Sequence, residues 1–226
     1  MTDIRFLGHS AFQLDDGTTT VLIDPFLTGN PKAAIGADDL SPDVILLTHG
    51  HGDHLGDLVP IAKRTRATVI TMVETAGELE QDGVENVIGA NIGGRVPFPG
   101  GAVKLVPAWH SSTTPKGTVT TPTGLIVELG GTTVYHLGDT CLFGDMELIG
   151  RRHAIDVALV PIGGFYTMDP EDAVEAVRMI GPRQVIPCHY NTFPQIQVDP
   201  AEFKAGVENE TATEVIVLEP GETHTV

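Results

Sequence analysis

Four side chains that can bind a metal lie close together in the segment Thr48-His-Gly-His-Gly-Asp-His-Leu-Gly56. They are His49, His51, Asp53 and His54. Imidazole nitrogens and carboxylate oxygens are the ligands that divalent metals such as zinc accept in proteins. The glycines between these donors remove intervening side chains, so the backbone can turn tightly and let all four converge. The spacing therefore favours a metal site over a solvated histidine-rich loop.

The residues around this segment predict a strand before it and a helix after it. Residues 43–48 form a short apolar run that is typical of a buried strand. Residues 57–66 have the pattern of a helix. The four donors are then expected on a strand-to-helix loop, at a strand end, where α/β proteins place their functional sites.

Three more donors follow predicted strands in the same way. His110, Asp139 and His189 each come after a short run with strand character. Taken singly, a histidine or aspartate at a strand end is more often a turn or capping residue. Together with the first four they make seven donors, five histidines and two aspartates. That set suits two metal ions that share one carboxylate and a bridging water.

The rest of the chain alternates strands and helices, as in an α/β protein. We assign no element between residues 138 and 154, and we expect a loop at 111–123, which is rich in Ser, Thr, Pro and Gly. One domain is expected over residues 1–226. The other predicted elements are strands at 4–7, 11–14, 18–23, 67–72, 124–129, 155–161 and 214–218, and helices at 74–81, 170–180 and 200–208.

Composition narrows the possible partners. The chain has 13 basic and 30 acidic residues and a formal net charge of −17, so no basic stripe is available for nucleic acid or an anionic membrane. Two cysteines, Cys141 and Cys188, are too few for a disulfide framework; we expect small buried side chains, with zinc ligation as the alternative. No signal core or membrane-spanning run is present. A cytoplasmic protein acting on a small molecule is expected, with self-association left open.

The order of the seven donors resembles the signature of the metallo-β-lactamase superfamily. That signature is His-x-His-x-Asp-His, then a lone His, then an Asp after Gly, then a last His, and here it spans most of the chain. Three other segments look like the bacterial and archaeal metal-dependent hydrolases related to ascorbate-6-phosphate lactonase. These are Leu7-Gly-His-Ser-Ala-Phe12, Pro161-Ile-Gly-Gly-Phe-Tyr166 and His189-Tyr-Asn-Thr-Phe-Pro194.

The resemblance implies an α/β fold: a four-layer αβ/βα sandwich of two mixed sheets, with helices on the outer faces and a dinuclear site at one edge. Two divalent ions are implied; zinc is expected, and manganese or iron would accept the same ligands. His51 stands where the flavodiiron branch has a carboxylate, which favours hydrolysis over electron transfer. The implied ligands are His49, His51 and His110 for the first metal, Asp53, His54 and His189 for the second, and Asp139 as the bridge.

The function implied is hydrolysis of a small-molecule ester or lactone by a hydroxide held between the two metals. Asp53 would orient the nucleophile and move a proton, and His189 and Tyr166 are the other candidate catalytic residues. A phosphodiesterase or nuclease would use the same metals, although the acidic composition weighs against long nucleic acids. A non-catalytic metal-binding protein is the third alternative, and the complete donor set weighs against it because structural zinc sites are usually rich in cysteine.

Other polar residues near the donors have two explanations each. Asp24, at a strand end, either supports ligand histidines or caps a turn. His9 either lines the pocket or is structural. Asn191 either binds substrate or packs its own loop. The loop at 111–116 either binds substrate or is simply solvated. His136 is expected to point away from the metal site as a hydrogen-bonded core histidine.

Overall fold

The computed structural model describes residues 1–226 and contains two seven-stranded sheets. The first sheet holds β1 Asp3–Gly8, β2 Ala11–Asp15, β3 Thr20–Ile23, β4 Val44–Leu46, β5 Thr68–Met72, β6 Val87–Ala90 and β14 Thr223–Thr225. Its strand order is β14-β1-β2-β3-β4-β5-β6. The first strands pair antiparallel, and β3 to β6 pair parallel.

The second sheet has the corresponding order, β13-β12-β11-β10-β9-β8-β7. Its strands β7 to β10 pair antiparallel, and β10 to β13 pair parallel. The strands are β7 Arg95–Phe98, β8 Gly101–Pro107, β9 Thr123–Leu129, β10 Thr132–His136, β11 Val157–Pro161, β12 Gln184–Cys188 and β13 Glu214–Val215. Both sheets are therefore mixed.

Alternation of side chains along the central strands explains why the sheets stack. Successive residues of a strand point to opposite faces. In β4, Val44 and Leu46 join the core between the two sheets, whereas Ile45 joins the core on the outer face of the first sheet. In β11, Val157 and Leu159 face the first sheet in the same way. Because these strands are buried on both faces, they need continuous apolar runs.

Six helices complete the outer layers. They are α1 Gly52–Leu55, α2 Leu58–Thr65, α3 Val73–Gln81, α4 Asp145–Arg152, α5 Pro170–Ile180 and α6 Pro200–Glu210. Residues of α2 and α3 share the outer core of the first sheet, and residues of α4, α5 and α6 share that of the second. The three cores separate four layers, which confirms the predicted αβ/βα sandwich.

Two local features differ from the prediction. Asp53 and His54 lie on α1 and not on a loop. Helix α4 was not predicted, because only Met146 and Ile149 anchor it and Gly150 weakens its helical pattern. Its Gly150 fits closely against α5, since a Cβ there would lie 2.1 Å from the Ile180 carbonyl oxygen.

The end of the chain also differs from the prediction. The strand expected at 214–218 is confined to β13, and the last strand is β14, which pairs with β1. The sequence Thr223-His-Thr225 has no apolar residue, so no local pattern marks it as a strand. Its pairing is instead supplied by residues more than 200 positions earlier. No helix of the structure has both the length and the apolar character that crossing a membrane requires.

Gly56 joins α1 to α2 at a place that excludes a side chain. Its φ is +38°, and a Cβ would lie 2.5 Å from the Pro25 carbonyl oxygen. We expect Gly56→Ala to lower the free energy of unfolding by about 2 kcal/mol or more, from backbone strain and overlap. Gly77→Ala, in α3 with no atom within 4 Å of the new Cβ, is the control and should leave stability equal or slightly higher. Urea unfolding measures both; equal midpoints would contradict the prediction.

Candidate metal centre

The structure brings all seven predicted donors to one end of the sandwich. Strands β8, β10 and β12 run in the same direction through the second sheet. The segments that follow them, carrying His110, Asp139 and His189, therefore meet at one end of that sheet. The other four donors come from the segment that follows β4 and from α1 in the first sheet. The site is thus built from both sheets.

The donor atoms form three overlapping groups, and within each group they lie within 4.8 Å of one another. Two of the groups have the members of the two predicted ligand trios, with His9 added to the second. The third group shares one histidine with each of the others and adds a carboxylate. The groups are His49, His51 and His110; His9, Asp53, His54 and His189; and His49, His54 and Asp139.

Asp139 lies between the two trios. Its Oδ2 is 3.0 Å from His189 Nε2 and 3.6 Å from His110 Nε2. Its Oδ1 is 3.3 Å from His54 Nε2, and His49 Nε2 is 4.0 Å from Oδ2. A carboxylate that faces members of both groups has the placement of a bridging ligand.

Several of these donor atoms lie close to one another but form no hydrogen bond with the protein. His54 Nε2, Asp139 Oδ1 and both ring nitrogens of His189 are buried and make no hydrogen bond. Leaving a buried polar atom unsatisfied costs roughly 1–3 kcal/mol. Three of these atoms, His54 Nε2, Asp139 Oδ1 and His189 Nε2, lie around the Asp139 carboxylate, and nitrogen and oxygen donors of this kind suit divalent cations. The residues present therefore fit metal ions.

Asp24 fixes the orientation of two histidines from behind. Its Oδ2 accepts from His54 Nδ1 at 2.7 Å and from the Thr48 hydroxyl at 2.6 Å, and its Oδ1 accepts from Thr48 N–H at 2.8 Å. Since the Thr48 hydroxyl donates to Asp24, it accepts from His49 Nδ1 at 3.0 Å. Both rings then present Nε2 lone pairs to the centre. These hydrogen bonds favour the first of the two explanations for Asp24, that it supports the ligand histidines.

Burial favours the neutral, ligating form of the first trio. Desolvation lowers the pKa of His49 well below its usual value, and the neighbouring His54 adds to the effect. It also lowers the pKa of His51 and of His110. These three imidazoles are therefore ready to bind a cation without first losing a proton.

The carboxylates give His54 and Asp139 the opposite behaviour. Burial alone would lower the pKa of His54, but Asp139 and Asp24 together raise it well above the usual value. Burial alone would raise the pKa of Asp139, but His189 and His54 hold it well below the usual range. Cation binding at His54 Nε2 is thus expected to release a proton.

His9 belongs to the cluster although it stands outside the seven-donor motif. It is buried at the β1–β2 turn with φ +60°, and its ring centroid is 4.0 Å from that of His189. Its Nε2 is 3.3 Å from Asp53 Oδ2, and its Nδ1 is 2.9 Å from Thr192 Oγ1. Burial and then His189 lower the pKa of His9 to about 4. A neutral ring beside a carboxylate donates through Nε2, so His9 holds Asp53 in place.

The other predicted residues divide between the pocket and its supports. Tyr166 lines the pocket over the donors, which is about 310 Å³ in volume. The side chain of Asn191 accepts from Val198 N–H and so packs its own loop. Ser112 Oγ accepts from Gly50 N–H and braces the metal-binding segment, whereas Lys116 pairs with Asp82 on the surface.

Two core predictions can also be checked against the structure. His136 is a hydrogen-bonded core residue, as expected: its Nε2 contacts the Ser10 carbonyl and its Nδ1 accepts from Gly138 N–H. Cys188 is buried, as expected, but Cys141 is exposed in the loop after Asp139, so that expectation was wrong. Neither cysteine belongs to the donor groups.

Removing the central carboxylate tests its role as the bridge. We expect Asp139→Ala to lower bound metal from about two equivalents to one or fewer, because the shared ligand is lost. Elemental analysis after dialysis measures this, with circular dichroism to show that the variant is folded. Unchanged stoichiometry would remove Asp139 from the site.

Removing the charge of Asp24 tests the support behind the ligands. We expect Asp24→Asn to weaken metal binding by about 10–100-fold, since the amide no longer fixes the donor nitrogens of His49 and His54. The matched control is His136→Gln, another buried polar change nearby, which should keep the wild-type metal content. Competition with a chelator measures affinity. Equal loss of metal in both variants would show that local packing, and not Asp24, is responsible.

Comparison with known proteins places the chain in a family. The model for the β-lactamase superfamily domain matches residues 19–190. A UPF0173 metal-dependent hydrolase of Pelotomaculum thermopropionicum is 49% identical over 225 residues, covering 97% of this chain and 98% of the relative. A second, from Methanopyrus kandleri, is 50% identical over 226 residues and covers 98% of each chain.

A solved structure agrees with these sequence relatives. Igni18, a metallo hydrolase from the archaeon Ignicoccus hospitalis, is 42% identical, with a TM-score of 0.91 over 99% of this chain and 97% of that one. The matches extend across the fold and include every segment that supplies a donor. The chain belongs to the UPF0173 metal-dependent hydrolases of the metallo-β-lactamase superfamily.

Proposed function

We propose that this hydrolase opens the ester or lactone bond of a small, uncharged molecule at a centre of two divalent metal ions. The observation that carries the proposal is the chemistry of the pocket over the donors. It is about 310 Å³ in volume, and its walls contain no lysine or arginine. A pocket of this size suits a small molecule and not a polymer.

The absence of fixed cations in that pocket separates the two main reaction classes. Enzymes of phosphoryl transfer commonly add Arg or Lys side chains to their metals, because charge is spread over several phosphoryl oxygens in the transition state. Attack on a carbonyl instead develops charge on one oxygen, for which one donor beside a Lewis acid suffices. Tyr166 lines the pocket and is about half exposed, so its hydroxyl is available as that donor.

The metals would be held by His49, His51 and His110 on one side, by Asp53, His54 and His189 on the other, and by Asp139 between them. Bound there, divalent cations supply an activated water and polarise the scissile carbonyl. Hydrolysis adds the oxygen of water to the acyl carbon, breaks the acyl carbon–oxygen bond and gives the second proton to the departing alkoxide. A lactone then yields a hydroxy acid without change of oxidation state.

Asp53 is the residue proposed to handle the proton. Burial alone would raise its pKa, but the hydrogen bond from His9 and the charge of His54 lower it, so the carboxylate is ionised at neutral pH. One side of Asp53 is held by His9 Nε2, while its side chain keeps 30% exposure toward the pocket. Such a carboxylate can accept a proton from the nucleophile and return it to the leaving group. His189, whose ring centroid is 4.0 Å from that of His9, would itself bind the second metal.

The experiment is a turnover assay on metal-loaded protein with lactones, including sugar-acid phosphates, against bis(p-nitrophenyl) phosphate and cyclic nucleotides. We expect lactone hydrolysis, reduced at least about 10²-fold in Asp53→Ala through loss of proton transfer and of one ligand. Glu175→Ala, an exposed carboxylate change on α5, is the control and should keep full activity.

The panel also separates the rival functions. Phosphodiester turnover without lactone turnover would overturn the proposal in favour of a phosphodiesterase. Two bound metals with no turnover on any substrate would count against an ester or lactone hydrolase.

A further inference from the structure

A groove with mostly apolar walls lies beside the metal pocket. It has a volume of about 430 Å³, and its apolar side chains are Ile92, Pro107, Ala108, Trp109, Val119 and Pro122. Trp109 is 65% exposed and Val119 is 73% exposed. Large apolar side chains that stay open to solvent in one place commonly mark a surface that binds something.

The groove adjoins the metal pocket. His110 and Ser111 line both cavities. Trp109 directly precedes the candidate ligand His110, and two hydrogen bonds fix its backbone. Its backbone N–H donates to Thr140 Oγ1 at 3.0 Å, and its carbonyl accepts from Cys141 N–H at 3.1 Å. A molecule whose reacting group lies at the donors can therefore extend directly into the groove.

The walls of the groove offer no group that would hold a charge. Apart from His110, the polar side chains that line it are serines and threonines. Lys116 is paired with Asp82, and Lys104 donates to the Gly93 carbonyl; neither lines the groove. A phosphate or carboxylate placed here would lose water without gaining a counter-ion. An alkyl or aromatic group would instead gain from leaving water.

The side of the groove formed by residues 113–119 is held by hydrogen bonds. Val119 pairs with Thr113 in an isolated antiparallel bridge, and Thr114 N–H donates to the Thr118 carbonyl at 2.9 Å. The Thr114 hydroxyl is anchored to the buried Glu78 of α3 at 2.6 Å. A fixed wall selects ligands by size and shape, so Val119 and Trp109 have the placement of specificity-determining residues.

We propose that this groove binds the neutral alkyl or aromatic limb of the substrate while its ester or lactone carbonyl lies at the metal centre. The inference rests on the proposed function, which it narrows from uncharged esters and lactones to those that carry an alkyl or aromatic substituent. It selects against sugar-acid phosphates, whose anionic end the groove cannot pair.

The kinetic test uses γ-lactones with side chains from methyl to heptyl, and 6-phosphogluconolactone as the charged comparison. We expect kcat/KM to rise about two- to fourfold per added methylene until the groove is filled. Val119→Ser and Trp109→Ala should flatten this dependence, so that the ratio of kcat/KM for the heptyl lactone to kcat/KM for the methyl lactone falls in each variant. Leu148→Ser makes the same apolar-to-serine change at an exposed residue of α4 and should keep the wild-type dependence. A flat profile in the wild type, or preference for the phosphate, would overturn the inference.

A binding measurement makes the inference independent of catalysis. Trp109 is the one tryptophan of the chain, so its fluorescence reports this groove alone. Titration with hexanamide, octanamide and decanamide, with and without added metal, should give saturable blue shifts and tighter binding for longer chains. Val119→Ser, which keeps the tryptophan, should bind the longest amide several-fold more weakly.

The two measurements distinguish the possible failures. Amide binding without hydrolysis of any lactone would overturn the proposed function and support the groove. Lactone hydrolysis without chain-length dependence or fluorescence response would overturn the groove and support the function. Fluorescence that changes with protein concentration, with dimers by sedimentation and no response to amides, would show that a second copy covers the groove and would also overturn the inference.

Discussion

The carboxylate of Asp139 is buried among four imidazoles, and both sheets contribute the residues that surround it. An anion in that position is tolerable only when positive charge stands close by. In the protein alone, His54 is the nearest group whose pKa is raised enough to supply that charge. Divalent cations would supply more of it and would also satisfy the unpartnered nitrogens. The electrostatics of the site thus favour metal binding before any substrate arrives.

The two sheets contribute to this centre in similar ways. β3 and β4 are parallel neighbours in the first sheet, as β10 and β11 are in the second. An aspartate follows the first strand of each pair, Asp24 after β3 and Asp139 after β10. One supports ligand histidines from behind and the other faces the donors directly. The repeated pattern suggests how a single type of strand end can serve two different tasks in one site.

Much of this arrangement could be predicted from the sequence, because the informative signals are local. The strand before His49 is buried on both faces and so appears as a continuous apolar run. The segment from His49 to His54 holds four of the donors. His9 could not be assigned in that way, since its contacts are with Asp53 and Thr192, far along the chain. Its positive φ and its burial become visible only in three dimensions.

Asp24 and helix α4 show two other limits. The sequence places Asp24 at a strand end, where capping and ligand support look alike; only its contacts with His54 and Thr48 separate them. Helix α4 is held by packing of two apolar residues against α5 and not by a strong helical pattern, so its local sequence is a weak guide. In both cases the deciding information is the identity of a distant neighbour.

The wide separation of the donors along the chain has a consequence for the order of folding. The segment from His49 to His54 supplies two donors to each ligand group, and each group is completed by a residue far along the chain. His189 and Asp139 reach them only after both sheets have formed. The pairing of β14 with β1 likewise joins residues at opposite ends of the sequence. Contacts of such high sequence separation form slowly. The donor set is therefore complete only when the C-terminal half has docked onto the N-terminal half.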